Sequence, residues 1–193
     1  MSESDRERWD ERYQQGAYAE RSHPSPLLQA WVDHIPRGRA LDVACGAGRN
    51  ALFLAAEGFE VAAVDISAEA LKRGRQRADQ SGLDVNWIRH DLDEPLALDD
   101  RYALILVMRF VDLPLIRRLK GALAPGGFLI CELHLRSDAE VGGPSSPAYR
   151  VAPGSLRAAA EGLRIRFYDE GVLNEPDGQP MALARLVAEH SIR

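Results

Sequence analysis

Hydrophobic residues along this chain change rhythm several times, and the changes mark out its elements. The first fifteen residues are charged, with Trp9 and Tyr13 four apart on one face, and suit a helix. SHPSP (22–26) breaks it, and a second short helix is expected from about Pro26 to His34, ending before Pro36. Compact apolar runs then alternate with helical spacing. ALDVA (40–44), EVAAVD (60–65), VNWIRH (85–90), YALILVM (102–108) and GFLICELH (127–134) read as strands. ALFLAAEG (51–58) reads as a helix stopped by Gly58. A further helix is led by Ser67, with Glu69 in its first turn, and runs to about Gln80 before Gly82. Asp112 heads a helix with Ile116, Leu119 and Leu123 on one side, which APGG (124–127) ends. Residues Arg136 to Pro147 are rich in Gly, Pro and Ser without periodicity, a long loop for a compact domain and a candidate lid. Pro153 to Glu161 reads as a helix, and LRIRFYDEG (163–171) and ALARLVAEH (182–190) as strands joined by the polar turn NEPDGQP.

Strands separated by helices, then a terminal antiparallel hairpin, predict an α/β fold with a doubly wound, mostly parallel sheet of seven strands. A single domain over 1–193 is expected, with residues 1–36 as an N-terminal helical arm over the active site and residues 136–149 as a candidate lid loop.

Composition narrows the function. The formal net charge is −5, the wrong sign for gripping a nucleic-acid backbone. The two cysteines, Cys45 and Cys131, are too few for a disulfide framework and lack metal-ligand spacing, so a reducing compartment and no metal are expected. The charged N-terminus does not read as a signal peptide, and the longest apolar run, Ala103 to Met108, falls far short of the ~18 residues of a membrane span. A soluble, cytoplasmic protein with no membrane partner is the expectation; nothing here bears on oligomeric state.

Candidate chemistry centres on LDVACGAGRN (41–50), the turn leaving the first strand. In a doubly wound sheet, ligands bind beyond the carboxyl ends of the strands, at the switch point beside strand one. Gly46 and Gly48 allow a close ligand, although an isolated pair of glycines serves tight strand–helix packing equally well. Asp65 ends the second strand, where an acidic side chain meets ribose hydroxyls, and Asp91-Leu92 follows the third, where an acceptor and an apolar contact suit an adenine ring. The dinucleotide fingerprint G-x-G-x-x-G is not met, because its three glycine places read Ala44, Gly46 and Arg49, and no phosphate-loop GK[ST] follows.

The pattern Asp42-Val43-Ala44-Cys45-Gly46-Ala47-Gly48 resembles motif I, D-x-G-x-G-x-G, of the class I S-adenosylmethionine-dependent methyltransferases, with Ala44 replacing the first glycine and slightly narrowing the space. Asp65, Asp91-Leu92 and the L-x-P-G-G turn LAPGG (123–127) extend the resemblance over residues 40–133, and the hairpin suits the family's sixth and seventh strands. WDERY (9–13), CGAGRN and GGPSSPAYRVAPGSL (142–156) resemble the small tellurite-resistance-type methyltransferases. The resemblance implies a Rossmann-like fold and S-adenosylmethionine as cofactor, with Asp42, Ala44, Cys45 and Gly46 around the methionine moiety, Asp65 at the ribose, and Asp91 and Leu92 at the adenine. It places the Met108 backbone near the amino-acid part, and Arg12 or Tyr13 closing over the cofactor. Tellurite-processing relatives carry basic side chains in the turn before the last strand; LNEPDGQP (173–180) is acidic and neutral, which argues against tellurite itself.

On the acceptor side, His134 at the end of the fifth strand is the general-base candidate, against the alternative of a packed or solvated histidine. Arg109 is a candidate anion clamp, or an ordinary ion-paired arginine. Tyr149, Arg150 and His23 are candidate substrate contacts, or plain loop residues. Both cysteines read as core or loop residues rather than nucleophiles. The expected function is methyl transfer to a small-molecule acceptor such as a thiol or chalcogen compound. The alternatives are a non-catalytic S-adenosylmethionine-binding regulatory or assembly protein and, less well supported because of Arg49, a nicotinamide-dependent oxidoreductase.

Overall fold

The computed structural model describes residues 3–19, 21–98, 101–175 and 178–191. The chain divides into two compact units, Met1–Ala103 and Leu104–Arg193, and the division falls inside a strand rather than a linker.

The first unit holds α1 (Glu3–Gln14), α2 (Pro26–Trp31) with a 3-10 turn at Val32–His34, β1 (Arg39–Val43), α3 (Arg49–Ala56), β2 (Glu60–Asp65), α4 (Ala68–Ser81) and β3 (Asn86–Arg89). Its strands lie in the order β3-β2-β1, and both pairings are parallel. Val43 pairs with Val64, so the turn leaving β1 starts level with Asp65, and the Cys45 N–H extends the ladder to the Val64 carbonyl at 3.0 Å. Leu41, Val43, Val61, Ala63 and Val64 from the strands and Leu54 and Leu71 from the helices are buried. Each fully buried Leu or Val contributes roughly 1.5–3 kcal/mol relative to exposure. The Ser67 hydroxyl accepts the Ala70 N–H at 3.1 Å, so α4 begins where its capping residue predicts. Helix α3 starts at Arg49, two residues before the expected Ala51. Gly48, at φ 73°, makes the left-handed turn that aims the chain back along the sheet.

The second unit takes up β4 (Tyr102–Met108) from Leu104 onward, then α5 (Leu113–Leu119) with a 3-10 turn at Lys120–Ala122, β5 (Leu123–His134), α6 (Ser155–Ala159), β6 (Arg164–Asn174) and β7 (Pro180–Glu189). Their order is β4-β5-β7-β6, with β5 antiparallel to β7 and β7 antiparallel to β6. The terminal hairpin is therefore as expected, with a register irregularity between Ile165 and Phe167. Asp112 caps α5 through the Leu115 N–H at 2.8 Å.

Further details differ from the sequence reading. Strand β5 starts at Leu123 and absorbs the Pro-Gly-Gly turn, because the Gly126 N–H donates to the His190 carbonyl and the His190 N–H to that of Gly127 (2.7 and 2.8 Å). Helix α6 keeps only Ser155–Ala159 of the span from Pro153 to Glu161. The long loop carries a 3-10 turn at Pro147–Tyr149 and a bridge between Leu135 and Val151 at its base. Within the polar turn of the hairpin, Pro176 and Asp177 lie outside the described residues.

Candidate cofactor site

The turn after β1 wraps around one carboxylate. The Gly46 N–H donates to Asp65 Oδ2 at 2.7 Å and the Ser67 N–H to Asp65 Oδ1 at 2.9 Å. Both oxygens of this buried side chain thus accept from the main chain, which fixes the carboxylate in an orientation suited to a hydroxyl donor such as a ribose diol. Burial pushes the Asp65 carboxyl above its ordinary range, and the Ser67, Gly46 and Ile66 N–H groups pull it back. The next turn is tied to the same place: the His90 N–H donates to the Asp65 carbonyl at 3.0 Å, and Asp91 accepts the Asp93 N–H at 3.0 Å. Leu92 beside it is buried.

Asp42 is the second carboxylate of this region. It is 1% exposed, and its Oδ2 has no hydrogen-bond partner among the described residues. Burial pushes its carboxyl up to about 7, with Arg49 and the Ala51 N–H opposing and Asp65 adding to the rise. A buried carboxylate with an unused oxygen calls for a donor or a cation, and the α-ammonium of a methionine moiety supplies both. Ala44 stands at φ 55°, so its departure from glycine acts on backbone conformation as well as on space. A left-handed L-residue costs roughly 1–2 kcal/mol.

Burial, with Asp65 and Asp42 adding to it, pushes the Cys45 thiol up, and Sγ donates to the Gly46 carbonyl at 3.5 Å. Cys131 is a fully buried residue of β5 whose thiol burial also pushes up.

Two aromatic side chains explain why the loop uses glycine. A Cβ on Gly46 would fall 2.4 Å from the Tyr13 hydroxyl, so this buried residue of α1 lies directly on the loop backbone. Of the two N-terminal candidates it is Tyr13 that reaches the loop; Arg12 packs over the Trp9 ring. A Cβ on Gly48 would fall 2.2 Å from the Trp87 ring and one on Gly74 2.5 Å from it, so the indole is wedged between loop and α4. The sequence reading missed Trp87, although a glycine inside the helical span of α4 is the signal of such a close approach. His23 is exposed; its carbonyl accepts from Arg49 at 3.0 Å, and Asn50 Oδ1 accepts the Ser25 N–H at 2.9 Å. What this geometry brings to the loop is the His23 main chain.

The second unit holds the remaining candidates. Met108 is buried at the end of β4. Arg109, at φ 63°, donates its N–H to the Glu132 carbonyl at 2.7 Å, and its guanidinium pairs with Glu132 at 3.0 Å and Glu175 at 2.6 Å. Of the two readings of Arg109, candidate anion clamp or ion-paired arginine, the structure supplies the ion pairs, to two carboxylates around one guanidinium. His134 is buried, and a Cβ on Gly143 would lie 2.7 Å from its Cε1, which places the loop backbone against the imidazole. Arg150 donates to the carbonyls of Pro144 (2.8 Å), Leu135 (3.0 Å) and Gly142 (2.9 Å). Its guanidinium clasps the loop. Tyr149 is largely exposed. Among the described residues no helix is long and apolar enough to cross a membrane, and no group of three or more His, Cys, Asp or Glu could hold a metal ion.

Residues 40–127 match the family described as methyltransferase domain. A ubiquinone biosynthesis O-methyltransferase from Rickettsia felis is 30% identical over 108 residues, covering 53% of this chain and 44% of that protein. The chain thus spans less than half the length of that curated relative. TehB from Haemophilus influenzae has a similar solved structure, with a TM-score of 0.72 and 19% identity over 86% of this chain and 61% of that one. Magnesium protoporphyrin IX methyltransferase from Synechocystis PCC 6803, solved with bound S-adenosylmethionine, gives 0.62 and 18% over 86% and 76%. The fold is the α/β, Rossmann-like methyltransferase fold with its seven-strand, mostly parallel sheet. The match over residues 40–127 and the shared fold make this chain similar to proteins with the methyltransferase domain.

Proposed function

We propose that this protein transfers a methyl group from S-adenosylmethionine to a small-molecule acceptor. The observation that carries the cofactor half is Asp65, whose two oxygens are each held by a main-chain N–H at the end of β2. Asp65 would hold the ribose, Asp42 the α-ammonium, Asp91 and Leu92 the adenine, and the Met108 main chain the amino-acid end. When bound, the cofactor supplies a methyl group already activated by its sulfonium. The protein's task is then to hold an acceptor in line and exclude water, and a thiol or chalcogenide acceptor requires little more. A hydroxyl or protonated amine requires a base, and His134 is the residue we assign to that role.

A small acceptor is favoured over nucleic acid by the net charge of −5. The matched relatives do not choose between the two, since a 23S rRNA (uracil(747)-C(5))-methyltransferase from Pyrococcus abyssi also matches over 68 residues. The candidate turn at 173–180 lacks basic residues, which argues for acceptors other than tellurite. A non-catalytic cofactor-binding role is the second reading, favoured by one observation: Arg109 and Arg150, two polar groups expected at the acceptor, are engaged within the protein. A methyl-transfer screen over thiols, selenides, phenols, amines and an rRNA fragment tests the proposal. Turnover of a small acceptor is expected. Silence across all small acceptors with saturating cofactor favours the second reading, and turnover of RNA alone overturns the acceptor class.

A further inference from the structure

Arg150 commits all three guanidinium nitrogens to main-chain carbonyls. Nε donates to Pro144 at 2.8 Å, Nη1 to Leu135 at 3.0 Å and Nη2 to Gly142 at 2.9 Å. Two of these acceptors flank Gly143, and the third is the residue after His134. Gly143 itself lies against the imidazole. A Cβ there would fall 2.7 Å from His134 Cε1, 2.8 Å from Nδ1 and 3.5 Å from Arg150 Nη2, and its φ is 95°, so the place requires glycine. The base of the clasp is tied to the same strand end. The Val151 N–H donates to the His134 carbonyl at 2.8 Å, and the Arg136 N–H to that of Val151 at 2.9 Å. The Gly142 N–H anchors the far side of the loop on the Pro180 carbonyl at 2.8 Å. A planar guanidinium holds its donors in a fixed fork that spans three carbonyls, which the compact ammonium of lysine does not.

We propose that Arg150 is a positioning residue for His134. By fixing the residues on both sides of Gly143 to the residue after His134, it holds the loop main chain against the imidazole and sets the orientation in which the ring meets an acceptor. The proposal rests on the assignment of His134 as general base. A base works only within hydrogen-bond reach of the proton it takes. Loss of the clasp therefore penalises an acceptor that must give a proton to His134, such as a phenol, and spares one that has none to give, such as a thiolate.

The test uses the full chain. The NMR signal of the His134 ring, assigned by its loss in His134→Gln, is followed against pH in the wild type, Arg150→Lys and Gly143→Ala. Methyl transfer from S-adenosylmethionine is measured alongside on phenol, which keeps its proton at neutral pH, and on thiophenol, which is already ionised there. Both variants are expected to shift the His134 signal and to lower kcat on phenol by roughly 10–100-fold, with its KM, thiophenol turnover and S-adenosylhomocysteine affinity little changed. An unmoved signal in both variants, unchanged phenol turnover, or an equal loss on both probes overturns the positioning role. Phenol turnover that His134→Gln leaves intact overturns the base assignment and the positioning role together. Absence of phenol turnover in the wild type overturns the base assignment, and the NMR signal alone then decides whether Arg150 holds the ring.

Discussion

Gly46 and Asp65 are nineteen residues apart in sequence and 2.7 Å apart in space, joined by an N–H to carboxylate hydrogen bond that closes the turn after β1 over the end of β2. The Ser67 N–H occupies the other oxygen, so the carboxylate is fixed in orientation before any ligand arrives. Preorganisation of this kind lowers the ordering cost of binding.

Asp42 makes stability pH-dependent. Its folded-state carboxyl lies near 7, above the ordinary range, so its contribution to stability is full at acid pH and is lost as pH rises through about 7. Chemical denaturation of the protein without cofactor should show stability falling between about pH 4 and 7 and levelling above, and Asp42→Asn should flatten that fall. Binding of S-adenosylhomocysteine should strengthen over the same interval in the wild type, because the ammonium requires the ionised carboxylate. A pH-independent affinity would show that Asp42 does not face the ammonium.

Ala44 sits where the backbone favours glycine, at φ 55°. Ala44→Gly should raise stability by about 1 kcal/mol, the relief of left-handed strain exceeding the entropy that glycine adds to the unfolded chain. Urea unfolding curves measure it, and a destabilised variant would contradict the strain.

Gly74 reverses an ordinary rule. Replacing a helical glycine by alanine normally stabilises by about 0.8–1 kcal/mol. Here the new Cβ would meet the Trp87 ring at 2.5 Å. Gly74→Ala should therefore destabilise by about 1–3 kcal/mol, and Trp87→Leu in the same chain should recover part of the loss. Additive effects in the double variant would show that the two residues do not meet.

Much of this was legible in the sequence where local rules apply. Strands β2 and β4 fall on the predicted spans because their apolar runs end abruptly in charged residues, and α4 begins at its Ser67 cap. The Asp42, Gly46 and Asp65 constellation follows from motif order along the chain. What escaped depends on which side chains meet across long separations. Glu175 reaches Arg109 over 66 residues, an ion pair that no local pattern announces. The clasp of Arg150 on three carbonyls requires the path of the loop, which has no periodicity to read. Trp87 looked like one more strand residue until its ring was found against two glycines.

The central claim is that Asp65 anchors the ribose of an S-adenosyl cofactor, and titration calorimetry tests it most directly. Wild-type protein should bind S-adenosylhomocysteine and leave NADH unbound, and Asp65→Ala should bind the former at least tenfold more weakly, since each charge-assisted hydrogen bond is worth roughly 1.5–3 kcal/mol. An unchanged dissociation constant in Asp65→Ala, or tight binding of NADH alone, would contradict it.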